Sequence, residues 1–313
     1  MEKQNSSHSE TNSSTETRPL VFGEVLFDEF EDGTAVLGGA PFNVAWHLQG
    51  FGLNPLFVSK VGKDQRGQQI LDTMQQWEMD TSGVQLDDTH PTGKVTIKLE
   101  QGQPTFNIVP DQAYDNIDNS VLSHINTSTP STLLYHGSLA LRNKVSQQTF
   151  DDLRTRSSSP VFVDINLRRP WWTNEIIHSS LNNATWAKLN DIELAEVAKA
   201  EPANKAEQKE IALQVRESFG LELLIITLGS EGAWFISQDK FFEGAPVPAK
   251  NIVDTVGAGD AFSAVTIYGL LHKWPLEIIS IRAMTFASSV CEMRGATTTN
   301  KHFYKENLSL WEK

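Results

Sequence analysis

Along most of this chain, short apolar runs alternate with segments whose apolar positions recur every three or four residues. The runs at 19–27, 56–61, 131–139, 161–165, 186–189 and 223–228 have the length and flanks of buried strands, and the segments at 65–79, 144–156, 191–199 and 205–219 read as helices. A further helix starts after Gly38-Gly39, with Pro41 in the favoured first position, and ends near Gly50 or Gly52. Strand and helix alternating in this way predict an α/β fold, a mostly parallel central sheet flanked by helices, with ligands gathered at the C-terminal ends of the strands. Residues 94–100 and 105–109 break the rhythm with a period of two, so a hairpin is expected around Gly102, and an extended piece is expected at 28–37. Together, 28–37 and 91–110 would form a small β lid, or else two surface hairpins of no consequence.

The stretch N-I-V-D-T-V-G-A-G-D-A-F-S-A-V-T-I-Y-G-L-L at 251–271 carries the first chemical signal. Phe262, Val265, Tyr268 and Leu271, spaced by three, predict a helix with one buried face whose N-terminus falls within Gly257-Ala258-Gly259-Asp260. Glycines there allow close approach of a ligand, and the free N–H groups and helix dipole attract an anion such as phosphate. Asp260 adds a negative charge to that end, which a simple phosphate cradle would avoid. The plainer reading makes Asp260 an N-cap.

Composition narrows the partners. A chain of 313 residues with 39% hydrophobic residues can hold one large α/β domain or a domain with a small appendage. Lys and Arg total 26 against 39 Asp and Glu, a net charge of -13, which opposes nucleic acid or an anionic membrane as the main partner. Any phosphate must therefore be held locally. Cys291 is the only cysteine, which excludes an internal disulfide and a cysteine-rich zinc site and fits a reducing cytoplasm. Residues 1–18, rich in Ser, Thr, Asn and Glu with no apolar core, read as a disordered tail ahead of a domain at 19–313. No run reaches transmembrane length. Neither a G-x-G-x-x-G after the first strand nor a G-x-x-x-x-G-K-[ST] loop is present, so a nicotinamide dehydrogenase and a P-loop enzyme are set aside.

The run D-T-V-G-A-G-D-A-F at 254–262 resembles the C-terminal signature of the PfkB, or ribokinase-like, carbohydrate kinases, and G-G-A-P-F-N-V-A at 38–45 resembles their N-terminal signature. The resemblance spans about 19–300 and implies a ribokinase-like fold and ATP-dependent phosphorylation of a sugar. On that reading Gly257, Ala258 and Gly259 form an anion hole for the transferring phosphoryl group, and Asp260 is the base that takes the proton of the sugar hydroxyl. Asp28, Gly38, Gly39 and Asn43 would contact the sugar, although Asn43 could instead cap its helix and Asp28 could be a solvated turn residue. D-I-N-L-R at 164–168 is similar to a fructokinase pattern and implies substrate or phosphate contact by Arg168 rather than Arg169, with Ile165 in place of the usual Pro.

For the nucleotide, the resemblance implies contacts from Asn190, from Thr227, Gly229 and Gly232 in T-L-G-S-E-G, and from Gly295 and Ala296 in R-G-A-T-T-T. Asn190 and Glu193 would handle Mg2+ through water. Asp254, Val256 and Thr299 would hold a monovalent cation, K+ among them, or Asp254 would only organise its turn. Ala40-Pro41-Phe42, without the Lys of many ribose-type relatives, and P-D-Q-A-Y-D at 110–115 point to the fructokinase branch and D-fructose. The same fold serves other acceptors, including ribose, nucleosides and 2-keto-3-deoxy acids, and could carry a silent sugar sensor, which an intact Asp260 and Gly257–Gly259 argue against. Lid hairpins in this family commonly meet those of a second subunit, leaving a homodimer open.

Overall fold

The computed structural model describes residues 18–100, 103–123, 125 and 131–312. Residues 1–17 of the expected tail, and Gln101 and Gly102 at the expected hairpin turn, lie outside the described residues. In chain order the elements are β1 (Leu20–Phe22), β2 (Leu26–Phe30), β3 (Ala35–Gly38), α1 (Ala40–Gly50), β4 (Leu56–Gly62), α2 (Gln65–Gln76), β5 (Val84–Asp87), β6 (Gly93–Glu100), β7 (Gln103–Ile108) and β8 (Leu134–His136). There follow α3 (Lys144–Arg156), β9 (Val161–Asp164), α4 (Asn174–Asn182), β10 (Trp186–Asn190), α5 (Asp191–Ala198), α6 (Lys205–Ser218), β11 (Leu223–Thr227), β12 (Ala233–Ser237), β13 (Phe241–Gly244), α7 (Ala258–Leu271), α8 (Leu276–Cys291) and α9 (Lys301–Trp311).

A nine-stranded sheet runs β13-β12-β11-β10-β9-β8-β1-β4-β5. It is parallel from β5 through β11 and turns antiparallel only at the β12–β13 edge. This is the expected α/β architecture with a mostly parallel central sheet. The parallel strands β9 and β11 are buried along V-F-V and L-L-I-I, apolar runs that suit a sheet covered on both faces. A second sheet of four strands, β3-β2-β6-β7, stands apart; β2 pairs parallel with β6 and antiparallel with β3, and β6 pairs antiparallel with β7. Among the described residues no helix is long and apolar enough to cross a membrane.

Three expectations change. The first run, 19–27, is two strands in different sheets. The chain leaves the main sheet at Gly23, whose φ is 153° and where a Cβ would stand 2.4 Å from Pro41 Cγ, and it enters the second sheet at Leu26. Only glycine fits that crossing, and Glu24 and Val25 are left between the two sheets. The run at 131–139 shortens to β8, followed by a 3-10 turn at Leu139–Arg142. Finally, α7 has no single buried face. Every residue from Ala261 to Ile267 is buried, because α7 packs between α1 and α8 through small side chains such as Ala261, Ser263 and Ala264. The strands β5, β12 and β13 and the helices α4, α8 and α9 add to the predicted elements.

Candidate active site

The first turns of two packed helices, α7 and α1, are joined by a side-chain hydrogen bond. At the start of α7, Gly257 is the N-cap in a left-handed conformation (φ 79°) and supplies no side-chain cap. A Cβ at Gly257 would lie 2.3 Å from Ala296 Cβ, so any other residue collides, and most would also strain the turn. Asp260 is the third residue of the helix and caps nothing, which displaces the N-cap reading. Its Oδ2 instead accepts a hydrogen bond of 2.8 Å from Nδ2 of Asn43. At the start of α1, Gly39 (φ 111°) lets the backbone pass the Glu24 carbonyl, whose oxygen a Cβ would meet at 2.7 Å. Pro41 takes the second helical position rather than the first, and Asn43 follows in the first turn, 4% exposed. Asn43 caps nothing either, and its Oδ1 has no partner among the described residues.

Burial pushes the Asp260 carboxyl up to about 7; the Asn43 donor opposes the shift, Asp164 adds to it, and Lys188 and Arg168 oppose it. A carboxylate poised there is suited to take a proton near neutral pH. Beneath it lies a buried ion pair. Lys188 Nζ on β10 is 2.6 Å from Asp164 Oδ2 at the end of β9, and Ser263 Oγ of α7 donates to the same oxygen at 2.8 Å. Lys188 Nζ also lies 3.7 Å from the place a Cβ would occupy on Gly259. The Lys188 charge near Gly259 is balanced by Asp164, and the attraction for an anion at this end comes from the N-terminus of α7.

Asp28 lies on β2, where burial pushes its carboxyl up to about 6 against the opposing charge of Arg168. Gly38 faces it; a Cβ there would stand 3.5 Å from Asp28 Oδ2. Arg168 follows β9, is exposed, and its positive charge acts on Asp28, Glu24 and Asp260 together. Arg169 turns away to Glu196 and the ring of Trp172.

The residues expected to contact a nucleotide are organised by backbone contacts. Asn190 and Glu193 cap α5 reciprocally: Asn190 Oδ1 accepts from Glu193 N, and Glu193 Oε2 accepts from Asn190 N, each at 2.8 Å. Glu193 Oε1 accepts from Leu167 N at 2.8 Å, so this carboxylate, at 6% exposure, fixes the loop that presents Arg168. Thr227 closes β11, and Gly229 (φ 56°) opens the following turn with nothing within 4 Å of a Cβ. Gly232 is demanded by packing, because a Cβ would meet the Gly244 carbonyl oxygen at 2.1 Å. Asp254 ties two loops, accepting from Val256 N at 3.0 Å and from Gly295 N at 3.1 Å, which is the turn-organising role. Ala296 and Thr298 are held by α1, through His47 Nε2 at 3.1 Å from Ala296 O and Trp46 Nε1 donating to Thr298 O at 2.9 Å. Val256 and Thr299 are exposed. Among the described residues no group of three or more His, Cys, Asp or Glu is arranged to hold a metal ion.

Asp260 and Asn43 are thus joined, and Arg168 acts on both Asp260 and Asp28, while Asn190 and Thr227 end the neighbouring strands β10 and β11. Sequence reasoning passed over Asp164, Lys188, Glu24 and Arg142. A lone Lys inside the apolar run W-A-K-L and an Asp closing V-F-V-D were the available signals, since a charge inside a buried strand needs a partner.

The family model for pfkB family carbohydrate kinase matches residues 16–302. A fructokinase of Salmonella typhimurium is 30% identical over 288 residues, covering 87% of this chain and 90% of that protein. The crystal structure of a fructokinase from Xylella fastidiosa with bound ATP superposes with a TM-score of 0.81 at 19% identity, covering 95% of this chain and 99% of the other. An aminoimidazole riboside kinase from Salmonella enterica, complexed with aminoimidazole riboside and an ATP analogue, superposes with a TM-score of 0.77 at 21% identity, covering 94% and 99%.

Proposed function

The chain belongs to the pfkB family of carbohydrate kinases, and from that premise we propose that it is an ATP-dependent fructokinase that phosphorylates the 6-hydroxyl of D-fructose. The observation that carries this reading is Asp260, at the third position of α7, held by Asn43 beside the helix start at Gly257, Ala258 and Gly259, where, among the described residues, only the Ala258 N–H is drawn back within the turn, donating to Thr255 O at 3.3 Å. In the reaction the sugar oxygen forms a bond to the γ-phosphorus as the bond to the bridging oxygen of ADP breaks, and the hydroxyl proton passes to the Asp260 carboxylate. The α7 amides, with Lys188 below them, stabilise the charge that builds on the phosphoryl oxygens.

Asp28, Gly38, Gly39 and Asn43 bind the sugar in this reading. Carboxyls at 28 and 260 favour a neutral polyhydroxyl acceptor over a 2-keto-3-deoxy acid, whose carboxylate they would repel. Asn190, Thr227, Gly229, Gly295 and Ala296 line the nucleotide side, whereas Gly232 supports that loop through its packing. Magnesium, when bound, neutralises charge between the phosphates of ATP. Glu193 already spends each carboxyl oxygen on a backbone N–H, so it meets the ion through water and acts mainly by steadying Arg168. The loop joined by Asp254 to Gly295, with Val256 and Thr299, is the place for a monovalent cation such as potassium. The second sheet acts as the lid and as the surface that meets a second subunit.

The test is turnover in a coupled assay on fructose, ribose, glucose, 2-keto-3-deoxygluconate and adenosine with ATP and magnesium. Fructose should exceed ribose in kcat/KM by at least ~10-fold, a gap of about 1.4 kcal/mol in transition-state binding. Ribose or adenosine as the best acceptor would remove the fructokinase assignment and leave the kinase.

A further inference from the structure

Glu24 is a carboxyl for which the reading above has no use. It follows Gly23 in the crossing between the two sheets and is 3% exposed, and its Oε2 has no partner among the described residues. Filling space there would need only an apolar side chain, whereas an unpaired buried carboxyl oxygen is costly unless something else satisfies it. Its surroundings are those of the site. Asp260 from α7, Arg168 from the loop after β9, Arg142 from the turn after β8, Tyr114 ahead of β8 and Tyr135 on β8 all interact with its charge. The Glu24 backbone underlies Gly39, the residue that begins the helix carrying Asn43.

Two further buried atoms nearby are left over in the same way. Asn43 Oδ1 has no partner although its Nδ2 is bonded to Asp260. Arg142 gives Nε and Nη2 to Asp115 at 2.7 Å each, and its Nη1 is left without a partner. Two buried acceptors and one buried guanidinium donor, connected through Glu24, which feels both Arg142 and Asp260, form a set that sugar hydroxyls, each donor and acceptor at once, can complete. A phosphate would be repelled by Glu24 and Asp260, and an apolar ligand would leave all three atoms unsatisfied.

We propose that Glu24 is an acceptor-binding residue, its free carboxyl oxygen meeting a hydroxyl of the sugar beside Asp260 and Asn43; the inference rests on the sugar-kinase reading above. Burial pushes Glu24 up to about 7 and nearby Asp260 adds to the shift, while Arg168 and Arg142 oppose it. The two like charges therefore oppose each other's ionisation, and in the protonated form Glu24 can donate to a sugar oxygen. The two carboxyls titrate as a pair.

The experiment uses the full chain with Glu24→Gln and Glu24→Ala. D-fructose affinity is measured by calorimetry without nucleotide, and kcat, both KM values and the pH profile are measured at steady state. Glu24→Ala should weaken fructose binding at least ~10-fold, with the loss mainly in the fructose KM and with the ATP KM unchanged. Glu24→Gln keeps a donor and an acceptor in the same volume and should recover most of the affinity. It should also move the acid limb of kcat/KM to lower pH, since Asp260 no longer shares a proton with a second carboxyl. Wild-type fructose affinity in both variants, with an unmoved acid limb, overturns the role of Glu24 and leaves the kinase standing. A wild-type protein that phosphorylates no sugar on the panel overturns both readings.

Discussion

Helices α5 and α7 each carry an acid at the third position, Glu193 in one and Asp260 in the other, yet the two carboxyls have opposite employment. In α5 the N-cap is Asn190, whose side chain bonds the Glu193 N–H while Glu193 reaches back to the Asn190 N–H. That capping box closes the helix end and spends the acid on structure. In α7 the N-cap is Gly257, which has no side chain to start such a box. No side chain caps the amides, and Asp260 leans to Asn43 of another helix. One residue, three places upstream, thus separates a carboxylate spent on its own helix end from one turned to another helix. Burial raises both acids, but Asp260 has a single hydrogen bond from Asn43, whereas Glu193 is held by two backbone N–H groups.

The comparison breaks most visibly at Asp260. Asp260→Asn should lower kcat by at least ~10²-fold, the scale of a positioned base, while fructose and ATP binding persist. In the wild type, kcat/KM should rise with pH through about 7, because the base must be ionised to act. Near-normal turnover in a folded Asp260→Asn variant would take the residue out of the chemistry.

Making α7 resemble α5 should fail. Gly257→Asn supplies the missing cap, and Asn tolerates a left-handed backbone, but its Cβ would drive into Ala296. A stability loss of about 2–3 kcal/mol is expected in chemical denaturation, together with weaker ATP binding as the 294–299 segment is displaced. Preserved stability would show that the helix start can shift to admit a cap.

A third measurement separates the two acids by pH. The folded-state pKa of Asp260, about 7, lies above its ordinary value, so its contribution to stability is full below about 4 and is lost as pH rises to 7. Asp260→Asn removes that loss. Relative to the wild type, the variant should gain stability between pH 4 and 7 and be about 2 kcal/mol more stable at pH 8, a figure reduced from the full shift for solvent screening. An equal stability difference at pH 5 and pH 8 would contradict the raised pKa.

The smallest effect belongs to Glu193. Glu193→Ala removes a capping interaction and the anchor of Leu167, and should cost about 1–2 kcal/mol of stability and raise substrate KM several-fold through a looser Arg168. A kcat loss matching that of Asp260→Asn would instead put Glu193 in the chemistry.

Much of this was legible from local pattern. The helices at 144–156 and 205–219 and the strands at 56–61, 161–165 and 223–228 carry their own periodicity and bounds, and the structure follows them to within a residue or so. The break in 19–27 was not legible, since nothing local in P-L-V-F-G-E-V-L-F says that Pro41 will press against Gly23 and send the chain into another sheet. For the same reason Glu24 looked like an ordinary polar residue within a strand. Asp164 and Lys188 escaped because their partner lay on a neighbouring strand.

By itself the sequence determined the α/β alternation, the glycine-led start of α7 with an acid on it, and the family, because these depend on residue order within a few turns of chain. Only the tertiary structure decided which acid is free. Asp260 and Glu193 occupy the same helical position, and their difference comes from what the fold sets opposite each: Asn43 from α1 for Asp260, and the Leu167 amide for Glu193. A carboxyl's pKa and availability depend on burial and on neighbours distant in sequence, and those exist only once the strands and helices have packed.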